Sequence, residues 1–371
     1  MVPPHGTVPF VGRRPERQIL DGQLADAAAG GSPAIAIVGE PGIGKTRLAE
    51  HLAASAEQRG FQVLVGRGSE FEQDVPFGLA IDALDEQFGS LPAEVLARLG
   101  SEWGAELAAV FPSMARSAGT LASPLEIERF RGHYAVRAVL AQLARVRPVL
   151  LVLDDLQWAD PASLELVSHL LRRGVRTTML VLVHRSPTGM EATAFGRAVR
   201  DGGVRTLELG PLPVDDLAES IGVSPSSARA RALYDESGGN PFYFTELANV
   251  PLQPDAAALA TGRSDPADTA PGAVRAAIGR ELSALSPVTR RFVQCAAVTG
   301  DPFDVDFTAA VADLTDEQAL TALDDLVTSN IVAPTGTPGR MVFRHPIVRR
   351  AVYDGTGHGS RLGTHRRAAA E

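Results

Sequence analysis

The sequence predicts an α/β architecture built on a parallel sheet, followed by a helical stretch and a C-terminal part that mixes helices with a short hairpin. Three observations predict it. Five short apolar runs alternate with helix-like stretches up to residue 210, the pattern of buried parallel strands joined by crossover helices. A glycine-rich turn links the first run to a helix, and beyond residue 210 helical periodicity replaces the strands until a hairpin pattern appears near the end.

The runs are residues 34–38, 62–65, 149–153, 179–183 and 205–209. Between them the helix from Pro161 is typical: Leu164, Val167, Leu170 and Leu171 share one face, and Arg172 and Arg173 fall in the last turn, where cations suit the helix dipole. Residues 211–250 read as short helices around the turn Gly238-Gly239-Asn240-Pro241, and residues 251–272 have the proline-rich composition of a linker or loop. From Ala273, Val274, Ile278, Leu282 and Leu285 lie on one helical face, Phe292, Cys295 and Ala296 continue a second helix, and residues 316–328 make a third. Residues 331–333 and 340–343 flank a turn, and helix-like 346–352 follows, so this part reads as a winged helix. Residues 364–371 form a charged helical run with no stop signal, which suggests truncation there. The expected domains are therefore 1–210, 211–250 and 273–371, with 251–272 as linker.

Composition narrows the function. With 45% apolar and 21% charged residues and no apolar run of ~18, the chain reads as soluble, with no membrane partner. Residues 1–11 lack the pattern of a secretion signal, and a single cysteine, Cys295, suits a reducing cytoplasm. The net charge of −9 disfavours broad contact with a phosphate backbone. Of the 35 basic residues Lys45 is the single lysine, so the other 34 are arginines.

That lysine sits in Gly39-Glu-Pro-Gly-Ile-Gly-Lys-Thr46, which fits G-x-x-x-x-G-K-[ST] between a strand and a helix. Gly39, Gly42 and Gly44 let the backbone wrap closely around phosphate oxygens. Lys45 supplies a compact charge where a forked guanidinium would not fit, and Thr46 offers a hydroxyl to Mg²⁺. Ile43 and Arg47 complete the nucleotide-binding set. The segment Val149-Leu-Leu-Val-Leu-Asp-Asp155 adds a buried strand ending in two carboxylates, as a Walker B segment requires. Asp154 is expected to hold the Mg²⁺ shell and Asp155 to orient or deprotonate the attacking water. Asp160, just before Pro161, reads as a helix N-cap in preference to a metal ligand. In P-loop ATPases with an extra strand between the two Walker strands, that strand ends facing the γ-phosphate. Here it is 179–183, so Arg185 is a candidate γ-phosphate sensor, with a solvated strand-end arginine as the alternative. His184 reads as packing or capping.

Taken in order, Phe10-Val-Gly-Arg13, the glycine-rich turn, Leu150-Leu-Val-Leu-Asp-Asp-Leu-Gln-Trp-Ala-Asp160, Val181-Leu-Val-His-Arg185, Gly238 to Pro241 and Phe343-Arg-His-Pro346 resemble the signal-transducing STAND ATPases. The closest resemblance is to the large ATP-binding transcriptional regulators of the LuxR and MalT type. It implies a P-loop nucleotide-binding domain, a small helical domain and a winged helix that together enclose ATP or ADP with Mg²⁺. By that likeness Val11, Gly12 and Arg13 line the adenine pocket, Pro241 packs on adenine, and His345 reaches the β-phosphate of ADP. Arg344 and Pro346 stand where related proteins carry methionine and aspartate. The implied function is a switch: ADP holds it closed, while ATP and an unknown inducer open it for self-association, with slow hydrolysis as the reset. DNA would be contacted through a domain beyond Glu371, although residues 340–371 hold seven arginines against Asp354 and Glu371. The alternative class is a turnover P-loop ATPase or kinase acting on a separate substrate.

Overall fold

The computed structural model describes residues 10–91, 101–118, 129–185, 194–201, 203–250 and 269–371. They divide into a first unit, Arg13–Gly210, and a second, Pro211–Glu371, which Phe10, Val11 and Gly12 join.

The first unit is a five-stranded parallel sheet. Helix α1 (Arg14–Ala28) leads into β1 (Ala34–Gly39), α2 (Lys45–Gln58) and β2 (Gln62–Arg67). Four helices follow among the described residues, α3 (Gly78–Gly89), α4 (Ser101–Val110), α5 (Pro112–Ala118) and α6 (Arg129–Val146), before β3 (Val149–Asp154). A 3₁₀ turn (Leu156–Trp158), α7 (Pro161–Arg173), β4 (Thr178–Arg185), α8 (Ala194–Asp201) and β5 (Arg205–Glu208) complete it. The strand order is β2-β3-β4-β1-β5, so β4 lies between the strand that enters the glycine turn and the strand that carries the paired aspartates. All six residues of β3 are buried, as expected of a central parallel strand covered on both faces.

The register sets the site. Gly39 of β1 pairs with Arg185 of β4, and Arg67 of β2 pairs with Asp154 of β3. The carboxyl ends of four adjacent strands therefore meet at one edge, where open α/β sheets bind ligands, and bring Arg67, Asp154 and Arg185 there. Helix α7 starts where the sequence places it: the Asp160 carboxylate accepts from the Ser163 N–H at 2.9 Å, and Gly174 ends the helix.

The second unit is mainly helical. Its elements are α9 (Val214–Ser220), α10 (Ala228–Ser237), α11 (Pro241–Ala248), α12 (Gly272–Ser283), α13 (Pro287–Thr299), β6 (Phe303–Asp304), α14 (Val305–Ala312), α15 (Asp316–Thr328), β7 (Val332–Pro334), β8 (Arg340–Phe343), α16 (Pro346–Gly355) and α17 (His358–Ala368). Strands β6, β8 and β7 form a small antiparallel sheet with β8 in the middle. Its core centres on Val274, Ile278, Phe292, Phe303, Phe343 and Ile347. Helix α15 opens on a reciprocal Thr315–Gln318 capping box. Strand β6, two residues long, escapes any test of periodicity, and the sequence reading of this part contains no third strand. Of the expected linker, residues 251–268 lie outside the described residues, while Gly272 already belongs to α12. Among the described residues no helix is long and apolar enough to cross a membrane.

Candidate functional site

The glycine turn opens the site. Gly42 and Gly44 adopt left-handed φ values of 80° and 101°, which side chains disfavour. Gly44 is the N-cap of α2 and offers no side chain to the helix's first N–H groups, so these remain available to an anion. A Cβ on Gly39 would come within 3.0 Å of the Leu209 carbonyl and of Ile43. The turn is braced from behind: buried Arg13 donates to the Ile43 carbonyl at 3.0 Å and to Glu16 at 3.1 Å.

Lys45 is almost fully buried at 8% exposure, and its Nζ donates to the Gly39 and Glu40 carbonyls, both at 2.9 Å. Burial, and next the positive charge of Arg185, push its pKa down to about 8 against the pull of Asp155, Asp154 and Glu40. A phosphate favours the charged form of such a group and replaces carbonyl dipoles with full negative charges. Thr46 donates its hydroxyl to Asp154 Oδ2 at 2.8 Å, so the two expected metal-shell residues touch across 108 positions of sequence. Asp154 is buried, and burial followed by the charge of Asp155 raises its pKa, offset by the Thr46 hydroxyl, the Asp155 N–H and Arg67.

Asp155 stands in a left-handed conformation, φ 53°. Its Oδ1 accepts from Gln157 Nε2 at 2.8 Å and its Oδ2 from Arg67 Nε at 3.1 Å, while Arg67 Nη2 lies 3.8 Å from Asp154. Both oxygens of the carboxylate expected to activate water are thus engaged. Gln157 also accepts from the Arg185 N–H at 3.3 Å, tying the turn after β3 to the end of β4. The Arg185 guanidinium lies 5.6 Å from the Trp158 ring centre, a cation–π distance, and is half-buried. His184 Nδ1 is 2.8 Å from the Arg185 carbonyl, in line with a capping role. Asp160 caps α7 and also accepts from the Phe77 N–H at 2.8 Å, so it fixes the start of α3 as well.

The structure gathers Gly39, Gly42, Ile43, Gly44, Lys45, Thr46, Asp154, Asp155 and Arg185 at one edge of the first unit, with Arg13 behind the turn and Arg47 exposed on α2. Val11 and Gly12 are half-buried. Pro241 and His345 belong to the second unit. Pro241 opens α11 behind the Asn240 cap. The buried His345 ring lies edge-on to Tyr243, 5.6 Å between centres, and occupies the space where a Cβ on Gly238 would stand. Arg344, with only 4% of its side chain exposed, pairs with Glu281 at 2.7 Å and donates to the Tyr243 hydroxyl at 2.8 Å.

Sequence reasoning missed Arg67 and Gln157. Gln157 lies inside the quoted Asp-Asp-Leu-Gln-Trp string, so its position was visible without its role. Arg67 carries no local signal, since only the β2–β3 pairing brings it to the aspartates.

The residues fit a magnesium nucleotide. Among the described residues no group of three His, Cys, Asp or Glu side chains could hold a metal. A cation here would rest on Thr46, Asp154, water and phosphate, which is the donor set Mg²⁺ favours.

Residues 9–183 match the family model described as the AAA ATPase domain. The chain is similar in structure to the Walker-type ATPase of Pyrococcus abyssi, with a TM-score of 0.55, 12% identity, and coverage of 92% of this chain and 96% of that one. It is also similar to the ORC2 protein of Aeropyrum pernix, solved as ADPNP and ADP complexes, with a TM-score of 0.50, 17% identity, and coverage of 99% and 97%. In sequence it is 24% identical over 394 aligned residues to an uncharacterized protein of Rhizobium meliloti (strain 1021), covering 97% of this chain and 36% of that protein. The chain therefore spans about a third of the length of this relative. Residues 9–183 resemble an AAA ATPase domain, and the first unit has the P-loop α/β fold with its parallel sheet.

Proposed function

We propose that the protein is a nucleotide-operated regulatory switch that binds ATP or ADP with Mg²⁺ and hydrolyses ATP slowly. The observation that carries this reading is the state of Asp155: beside a complete phosphate turn and a Thr46–Asp154 pair, its carboxylate is held by Arg67 and Gln157. A turnover enzyme needs that group poised for water. A switch needs it restrained until the phosphates and metal arrive.

In this reading the N–H groups of the turn and of the start of α2 hold the phosphates, and Lys45 neutralises the β- and γ-oxygens. Thr46 and Asp154 would hold Mg²⁺, which when bound shields charge on the transferring phosphoryl group. Asp155 orients the attacking water, and Arg185, at the end of the inserted strand, senses the γ-phosphate. Val11, Gly12 and Arg13 serve the adenine, Pro241 packs on it, and His345 contacts the β-phosphate of ADP from a winged-helix domain that follows the small helical domain. Inverting a switch from 1:99 to 99:1 requires ~5.5 kcal/mol of differential binding. The γ-phosphate, Lys45 and Arg185 are the groups able to supply much of it. The ADPNP and ADP complexes of the Aeropyrum pernix neighbour support an adenine nucleotide.

We further place the chain within a LuxR- or MalT-type transcription regulator of the cytoplasm. It would self-associate in the ATP state, answer an inducer, and reach DNA through a separate C-terminal domain. The test is to denature the freshly purified protein and identify the nucleotide released, then measure turnover. Stoichiometric ADP with turnover well below ~1 s⁻¹ is expected. An empty site with rapid turnover would overturn the switch in favour of a motor or kinase.

A further inference from the structure

The second unit contains a cleft of about 790 Å³, within the size range of small-molecule sites, walled by α12, α16 and α17 and by the ends of α10 and α13. Its chemistry is uneven. Four arginines face it, Arg275, Arg349, Arg350 and Arg361, against three carboxylates, Glu236, Asp301 and Asp354.

The carboxylates are already committed to the protein. Glu236 pairs with Arg350 at 3.1 Å, Asp301 accepts the Phe343 N–H at 3.1 Å, and Asp354 accepts the Ala270 N–H at 2.8 Å. Burial also raises the pKa of Asp301, against the pull of the Phe343 N–H and Arg349. Three arginines keep donors in hand. Arg349 uses its Nε on the Ala297 carbonyl at 3.1 Å, and its two Nη groups make no hydrogen bond among the described residues. Arg361 lies 4.9 Å over the Tyr353 ring and spends one Nη on His358 Nδ1 at 2.9 Å. The side chain of Arg275, on α12, makes no hydrogen bond or ion pair among the described residues.

We propose that this cleft is a second ligand site, taking a small organic phosphate whose oxygens are gripped by Arg275, Arg349 and Arg361 while its organic part rests on the wall beside Tyr353. Guanidinium forks match phosphate oxygens two at a time. The shape separates this ligand from a nucleic acid: an extended backbone would have to pass the three carboxylates on the cleft walls, whereas a compact dianion or trianion need only reach the arginines. Such a ligand would bridge α12, α16 and α17, giving a soluble effector a purchase on the second unit that does not depend on the phosphate turn.

The test titrates inorganic pyrophosphate into the full chain by calorimetry, in the wild type, in Lys45→Ala and in Arg275→Glu. A binding event of one per chain that survives Lys45→Ala and weakens at least tenfold in Arg275→Glu is expected. Arg275 is exposed and its side chain has no hydrogen-bond or ion-pair partner among the described residues, so the Arg275→Glu protein should melt as the wild type does, and Arg349→Ala serves as the second variant should it not. Binding that disappears in Lys45→Ala, or that is untouched by Arg275→Glu and Arg349→Ala, overturns the proposal. So does no binding at all in Lys45→Ala. A duplex DNA that outcompetes pyrophosphate in the Lys45→Ala protein overturns it too, and makes the cleft part of a nucleic-acid surface.

Discussion

Replacing Arg67 with alanine should speed ATP hydrolysis, because it releases the carboxylate that the proposed mechanism needs free. The magnitude follows from the pair's exposure. Arg67 Nε lies 3.1 Å from Asp155 Oδ2, but the Arg67 side chain is 60% exposed and that of Asp155 26%, so water screens the attraction. Pairs of this kind are worth ~0.2–1 kcal/mol. If all of that must be given up before Asp155 can turn to water, its removal lowers the barrier by the same amount, about 1.4- to 5-fold in rate. The assay is single-turnover hydrolysis of Mg-ATP with protein in excess, which separates chemistry from ADP release. Asp155→Asn, by contrast, should lose on the order of 100-fold, the low end for removing a general base. Arg67→Lys should fall between wild type and alanine, since an ammonium keeps the charge without the Nε geometry. High salt should erase much of the difference between wild type and Arg67→Ala. Slower hydrolysis in Arg67→Ala would refute the reasoning: Arg67 would then hold Asp155 in its working position.

Three further residues carry expected outcomes. Nucleotide binding should restore the charge of Lys45, whose pKa burial holds at about 8, so binding takes up ~0.5 proton at pH 8 and ~0.1 at pH 7 and weakens above pH 8; calorimetry in buffers of different ionisation enthalpy measures it, and no uptake at pH 8 contradicts the burial argument. The same depression means that the unfolded chain binds the extra proton between pH 8 and 10.5, so Lys45 disfavours the nucleotide-free fold below that window and this penalty fades as pH rises through it. Asp160→Ala should cost ~2–4 kcal/mol in urea unfolding, from a lost N-cap on Ser163 and an orphaned Phe77 N–H; a loss under 1 kcal/mol would show that water replaces both bonds. His345→Ala should speed ADP release in a stopped-flow chase, and an unchanged off-rate would remove His345 from the nucleotide.

What was legible in the sequence is what local rules encode. The strand that feeds the glycine turn, the turn itself and the fully buried β3 are each set by residues within a few positions of one another. The Asp160 cap is equally local, and it forms as Asp-Pro at a helix start dictates. Arg67 is the opposite case. Its hydrogen bond to Asp155 spans 88 positions, and nothing near Arg67 announces it. It depends on β2 pairing with β3 in a register that sets Arg67 opposite Asp154. Strand order was readable only in part, since the motifs imply an inserted strand but say nothing of which strand flanks β3 on its other side. Strand β6 was lost for a different reason, because two residues cannot display an alternation.

Gly238 shows how a correct local reading can still omit the larger constraint. The Gly-Gly-Asn-Pro stretch reads as a turn, and the turn is there: Gly238 ends α10 in a left-handed conformation, φ 58°, and Asn240 caps α11. Asparagine would satisfy a left-handed helix end, so the local rule does not demand glycine. The demand comes from His345, 107 positions later, whose ring fills the space a Cβ would need. Gly238→Asn should therefore keep the helix end but displace His345, and the His345 ring signals in an NMR spectrum would shift while the helical content stays constant. A spectrum with His345 unmoved would mean that the ring has room to spare, and that Gly238 is present for the turn alone.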